Sequence, residues 1–429
     1  MPVNIVIAGD LFAFPYGLAA TSRTQAIARG LTHAGARVSV LSLKRSDGTA
    51  GSPYGNRDST GGVWSGVTYA YPLQRHEADT PAALWRRIEL KARSSLGRPA
   101  AGRTSNGTPI RRLLEASIAD ACGGEAVDGL IAYTRDHEVL TEIIAVARRL
   151  GAVVVLEATE ALIAPRICTD EVDRYARIAV ERCDGIDAVS ETLKTSWIDR
   201  GVHPSRITVG QGMVDLESFD AVGGTSAVDR DTVTYVGNMT DREAVEAVAV
   251  FGKVRIAVPG ATLRMVGGTG DEQRNRDARA VLLEHAVQAG CSDGIEFIGV
   301  VPRDDLVRLL RRSDVLMLPR DVDEYTQSAF PNKLGEYLAS ARPVVATTVS
   351  DISDVLEDRV SAYLVPPGDT VACARAVVHA LSHQQEADAV GRAGRLVAER
   401  LLDCRAGGAR LVRHVEYLRH VRGVSRRST

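Results

Sequence analysis

The chain has 429 residues, 45% hydrophobic, 25% charged and 5% aromatic, more than one core ordinarily organises, so two domains are expected. A formal net charge of −2 excludes global electrostatic attraction to nucleic acid or to a membrane surface. The cysteines (Cys122, Cys168, Cys183, Cys291, Cys373, Cys404) are scattered without a close pair, which argues against a zinc site or disulfide framework and fits a reducing compartment. The N-terminus MPVNIVIAGD has no basic region and meets a charge at Asp10, so it reads as a strand rather than a signal peptide. No run approaches the roughly 18 apolar residues of a membrane span. No integral membrane contact is expected, and the expected location is cytoplasmic.

Short apolar runs alternate with helical spacing along the chain. VNIVIAG (3–9), the segment TSRTQAIARGLTHAGA and RVSVLSL (37–43) form a strand–helix–strand unit of a parallel sheet. GLIAY (129–133), a helix over 138–150 ending near Gly151, and AVVVLEA (152–158) repeat it. GIDAVS (185–190) and RITVG (206–210) add two strands. Residues 83–115 break the rhythm and read as a helix plus a loop, either a solvated insertion or a lid. FDAVGGTSAVDRD (219–231) is small and polar and reads as a linker. Five further strand candidates follow, TVTYVGN (232–238), ATLRMVGG (261–268), IEFIGV (295–300), DVLMLP (314–319) and PVVATT (343–348). The expected fold is α/β, with two doubly wound Rossmann-like domains facing a central cleft. Their boundaries are 1–218 (with the C-terminal helix 409–429), the linker 219–231, and 232–408.

Lysine occurs only at Lys44, Lys91, Lys194, Lys253 and Lys333. The last lies in SAFPNKLGEYLASARPVVAT (328–347), where Pro331 suits a helix start and the unpaired backbone N–H groups there favour an anion. Lys333 adds a full charge, and Glu336, one turn on, could accept hydrogen bonds from a ribose diol. The plain alternative is a surface ion pair between Lys333 and Glu336.

The stretch PNKLGEYLASARPVVAT resembles the nucleotide-sugar signature of the family 4 retaining glycosyltransferases, which have the GT-B fold, in the branch reading Pro-x-Lys-x-x-Glu-Tyr. Further pieces match in order: FPYGLAATSRTQAIARGLTHAGARVSVLS, IDAVSETLKTSWIDRGVHPSRITVGQGMVD, TVTYVGNM, ATLRMVGG, IEFIGVVPRDDLVRLLRRSDVLMLP and AYLVPPGD. The resemblance implies that Glu336 binds the ribose and that Lys333 lies near the diphosphate. It also implies that the backbone of Phe330, Pro331 and Asn332 meets the sugar, that Val300 and Val301 touch the base, and that Gly17 and Gly237 lie beside phosphates. It implies a GDP- or UDP-linked sugar as co-substrate, with no resident cofactor and no metal. Asp321 to Asp323 (DVD) accordingly reads as a solvated acidic loop. GGTG (267–270) reads as a strand–helix turn beside the nucleotide.

Two positions depart from the family pattern. Ser328 stands where a glutamate contacts the donor sugar, and Asn238 stands where an arginine binds phosphate, with Arg242 the nearest substitute. His137 and Glu157 lie at the C-terminal ends of first-domain strands and are candidates for the acceptor side, His137 as a catalytic group. A structural role for Glu157, paired with Arg166 or Arg135, is the alternative. The activity so implied is retaining transfer of a sugar, an unusual one if the two departures bear on specificity, to a small soluble acceptor such as a natural-product or low-molecular-weight-thiol intermediate. A lipid or polysaccharide acceptor at a membrane surface is a second reading, for which WRRIELKARSS (85–95) is a modest argument. A non-catalytic nucleotide-sugar-binding protein is a third and a sugar-nucleotide epimerase a fourth. No nucleic-acid partner is expected, and a homodimer is compatible with the sequence.

Overall fold

The computed structural model describes residues 2–44, 60–73, 110–160, 169–223, 227–269 and 271–427. Residues 85–95, Arg166 and most of the expected insertion lie outside them. The chain divides into two compact units. The first comprises Met1–Val189, Leu193–Gly210 and Arg405–Thr429, and the second Ser190–Thr192 and Gln211–Cys404.

In the first unit the strands are β1 (Asn4–Ala13), β2 (Arg37–Lys44), β3 (Gly61–Trp64), β4 (Val67–Ala70), β5 (Gly129–Tyr133), β6 (Val153–Ala158), β7 (Gly185–Ala188) and β8 (Ile207–Val209). Their order is β3-β4-β2-β1-β5-β6-β7-β8, parallel except for the β3–β4 pair. Residues of β5, β6 and β7 are buried throughout, which is why these strands read as continuous apolar runs. The intervening helices are α1 (Ala19–His33), α2 (Ile110–Ala121), α3 (His137–Leu150), α4 (Thr169–Arg182) and α5 (Glu191–Asp199), the last beginning in residues assigned to the second unit. Asp136 caps α3, its Oδ1 accepting from the N–H groups of Glu138 (2.7 Å) and Val139 (3.1 Å), and Gly151 ends it at φ 75°.

The second unit begins with α6 (Leu216–Ala221), followed by β9 (Thr232–Val236), α7 (Arg242–Ala257), β10 (Thr262–Val266), α8 (Glu272–Gln288), β11 (Ile295–Gly299), α9 (Arg303–Arg312) and β12 (Val315–Leu318). Then come α10 (Glu324–Ser328), α11 (Asn332–Ala339), β13 (Val344–Thr347), α12 (Ile352–Val355), β14 (Tyr363–Val365), α13 (Thr370–Ser382) and α14 (Gln384–Val397). The sheet order is β11-β10-β9-β12-β13-β14, parallel throughout. The order reverses between β9 and β12, the kind of place where open α/β sheets bind ligands at their C-terminal edge. Helix α15 (Cys404–Arg427) belongs to the first unit from Arg405 onward.

The expected boundary is 218, with a linker at 219–231. The described residues from Gln211 onward group with the second unit, where Phe219 is buried and Arg311 of α9 donates to the carbonyls of Phe219 (2.9 Å) and Val222. A glycine-containing polar stretch looked like a spacer, but its apolar members and carbonyls are held by packing.

Candidate functional site

The C-terminal edge of the second sheet is built close to bare backbone. Gly237 follows β9 and Gly267 follows β10, where the Gly237 N–H donates to Val266 O (2.9 Å) and the Gly267 N–H to Gly299 O (2.8 Å). A Cβ at Gly267, whose φ is 116°, would lie 2.3 Å from Gly237 O, so only glycine fits there. Gly267 to Thr269 thus form a turn held by close approach of strands, with Asn275 Oδ1 accepting from the Thr269 N–H at 2.7 Å.

Helix α11 delivers the two residues on which the sequence argument rested. Pro331 is its N-cap, one position earlier than a first-turn proline, and its carbonyl accepts from the Leu334 N–H at 3.0 Å. Leu334 and Leu338 are buried, leaving Lys333 and Glu336 half-buried. Tyr337 pins the helix to the sheet, its hydroxyl accepting from the Val236 N–H at 2.7 Å.

Lys333 does not pair with Glu336. Its Nζ lies 2.7 Å from Glu243 Oε2, while Glu243 Oε1 accepts from Arg320 Nε at 2.8 Å. Burial pushes the Glu243 carboxyl up, but Lys333 and Arg320 outweigh it and hold it below the usual carboxylate range. Arg320 also donates to Ala329 O (3.0 Å), which fixes the loop carrying Phe330 and Pro331. Glu336 Oε1 is 2.5 Å from Arg303 Nη1. Burial opposes the Arg303 charge, yet Glu336 outweighs it and raises the guanidinium above its ordinary value. The pair uses one oxygen of a group that can accept about four hydrogen bonds.

Arg242, expected as the nearest substitute for a phosphate-binding arginine, differs in setting from Arg320. Arg242 has a side chain 68% exposed and is paired with Asp321 and Glu246, whereas Arg320, almost wholly buried, shares Glu243 with Lys333. Asn238 has a local reason to be present, its Oδ1 accepting from the Thr240 N–H at 3.1 Å in the turn leading into α7. Ser328, expected on the donor-sugar side, lies at the end of α10. It is buried and its hydroxyl donates to the carbonyls of Glu324 (3.0 Å) and Tyr325 (3.1 Å) of its own helix. Phe330 is buried too, while Val300 is exposed and Val301 partly so at the end of β11. Asp321 meets Arg242 and Asp323 caps α10. Among the described residues no group of three or more His, Cys, Asp or Glu is arranged to hold a metal ion.

In the first unit, Gly17 precedes α1, and a Cβ there would lie 2.2 Å from Thr21 Oγ1, which donates to Ala13 O at 2.5 Å. Glycine is thus required by the turn itself. His137 opens α3, its carbonyl accepting from Thr141 Oγ1 at 2.7 Å. Glu157, expected as an acceptor-side candidate or a structural partner, is only 2% exposed and held by Arg23, whose Nε is 2.9 Å from Glu157 Oε1. Arg135, its proposed partner, pairs instead with Glu160.

Arg303, Glu243 and Arg320 were missed in the sequence. Arg303 and Arg320 each lie within four residues of a strand's C-terminal end, a signal that position alone could have raised. Glu243 carries no sequence signal beyond that of an acid in the first turn of α7.

Residues 230–383 match the family model described as glycosyl transferases group 1. The 2-deoxystreptamine N-acetyl-D-glucosaminyltransferase of Streptomyces fradiae is 29% identical over 186 residues, 41% of this chain and 41% of the relative. A D-inositol 3-phosphate glycosyltransferase of Salinispora tropica is 27% identical over 217 residues, 46% of this chain and 44% of its own. These matches span less than half of each relative. Among solved structures, Anabaena Alr3699/HepE in complex with UDP superposes with a TM-score of 0.64 at 12% identity, over 97% of this chain and 100% of that one. Sucrose-phosphate synthase from Thermosynechococcus elongatus gives 0.69 at 16% identity, over 97% and 99%. The fold is GT-B, two parallel-sheet α/β domains.

Proposed function

We propose that this GT-B chain, whose second unit carries the match to the group 1 glycosyl transferases, moves a sugar from a nucleoside diphosphate to a small soluble acceptor with retention of configuration. The observation that carries the reading is the pair of groups on α11. Lys333 is anchored by Glu243 beside the Gly237 edge, and Glu336 is oriented by Arg303 one turn away. This spacing suits a diphosphate and a ribose of one ligand. The reported complex of HepE with UDP and the deoxystreptamine and inositol-phosphate acceptors named for the relatives support the donor and acceptor classes.

Transfer then proceeds by charge stabilisation. The bond from the anomeric carbon to the diphosphate oxygen breaks as an oxocarbenium-like sugar forms, and Lys333 stabilises the departing charge. The acceptor hydroxyl bonds to the anomeric carbon on the same face and gives its proton to the leaving phosphate, so no protein nucleophile or resident cofactor enters. His137 is assigned to the acceptor side. No helix among the described residues is long and apolar enough to cross a membrane.

A thermal-shift series with UDP, GDP, ADP and dTDP tests the reading, because ligand at 100 times its dissociation constant stabilises by about 2.7 kcal/mol. One of the four should raise the melting temperature, and the matching nucleotide sugar should release its sugar. Binding by none of them refutes the proposal, whereas binding without sugar release favours a non-catalytic nucleotide-sugar-binding protein.

A further inference from the structure

One polar atom beside Lys333 makes no hydrogen bond among the described residues. Tyr235 lies in β9 with its side chain fully buried, yet its hydroxyl has no hydrogen-bond partner among the described residues. Tyr337, equally buried nearby, uses its hydroxyl on the Val236 N–H. A buried hydroxyl without a partner is destabilising, and phenylalanine would fill the same space without that cost. Its position is informative. A Cβ built on Gly237 would lie 2.3 Å from the Tyr235 hydroxyl and 3.1 Å from Lys333 Nζ, so both groups border the bare side of one glycine. The ammonium also stands 5.0 Å from the Tyr235 ring centroid, close enough for the ring face to orient it. Burial, reinforced by Glu243, Tyr337 and Asp241, raises the hydroxyl's pKa well above its usual value and keeps it a hydrogen-bond donor.

We infer that the Tyr235 hydroxyl is a substrate-binding group, donating to a diphosphate oxygen of the sugar nucleotide held by Lys333 at the Gly237 edge. This rests on the proposed function and refines its phosphate site. A neutral donor buried beside one ammonium contacts the diphosphate without adding a second charge to be desolvated.

The test is Tyr235→Phe in the full chain, titrated calorimetrically with the nucleoside diphosphate that stabilises the wild type and with the corresponding nucleoside. The expected result has three parts: an unliganded melting temperature equal to or above wild type, diphosphate affinity about tenfold weaker, and unchanged nucleoside affinity. If wild type and variant bind the diphosphate equally, the inference is overturned while the proposed function stands. A variant that melts lower and loses diphosphate and nucleoside affinity alike also overturns it, by showing a structural hydroxyl. If the wild type binds no nucleoside diphosphate, the proposed function fails and the inference falls with it.

Discussion

Glu336 illustrates how one side chain acquires a role from its neighbours. In isolation its carboxylate, three residues from Lys333, would form a weak exposed ion pair. Arg303 instead holds it at 2.5 Å in a half-buried setting, which fixes its direction. If Glu336 binds the ribose diol, Glu336→Ala should weaken nucleoside binding by about tenfold, the usual weight of a hydrogen bond to a charged group. Removing the ribose 2′-hydroxyl from the ligand should cost the wild type a similar factor and cost the variant much less, since both changes remove one contact. Calorimetry on the two proteins with the two ligands gives the answer. Additive losses would mean that Glu336 acts elsewhere.

At the scale of elements, the C-terminal helix comes into backbone contact with α1 of the first unit. A Cβ at Gly408 of α15 would lie 1.9 Å from the carbonyl carbon of Gly30 in α1, so the two helices meet glycine to glycine. Gly408→Ala should therefore destabilise the unit by about 2–3 kcal/mol through overpacking, despite alanine's better helix propensity. Gly423→Ala in the same helix, where a Cβ meets nothing within 4 Å, should be neutral or stabilising by up to about 1 kcal/mol. Urea midpoints of the two variants compare them directly, and equal effects would rule out the docking argument. The helix α11 follows the same logic in the second unit, where Tyr337 bonds the strand and Arg320 fixes the preceding loop.

For the whole molecule, a buried charge cluster in the first unit's core gives stability a dependence on pH. Arg23 is buried between Glu157 (2.9 Å) and Asp187 (3.8 Å), donates to Gly210 O at 2.8 Å, and has Arg410 of α15 3.3 Å beyond Asp187. Burial is the largest influence on Glu157 and Asp187 adds to it, so despite Arg23 its pKa rises from 4.5 to about 7. The folded state therefore holds a proton that the unfolded chain releases between these values. Stability from this group is full below about 4.5 and is lost as pH rises through about 7. Glu157→Gln should remove this decline, a difference on the order of 1–3 kcal/mol between pH 4.5 and 7.5, read from urea midpoints across that range. A variant with the wild-type slope would show that Glu157 stays ionised throughout.

The sequence by itself determined the strand–helix alternation, because buried parallel strands must be continuous apolar runs and the helices between them must carry one apolar face. It also determined where α11 would present Lys333 and Glu336, since their spacing and the flanking proline act within a single turn. It did not show β3 and β4, which are short and only partly buried, or the attachment of 211–231 to the second unit. Pairing was decided only by the tertiary structure. Lys333 meets Glu243 from 90 residues away, Glu336 meets Arg303 from 33, and Arg23 meets Glu157 from 134. A local pattern records which face of a helix is polar. The partner that a buried charge finds depends on how distant strands bring their ends together, and that packing alone separated Arg320 from Arg242 and left the Tyr235 hydroxyl beside Lys333.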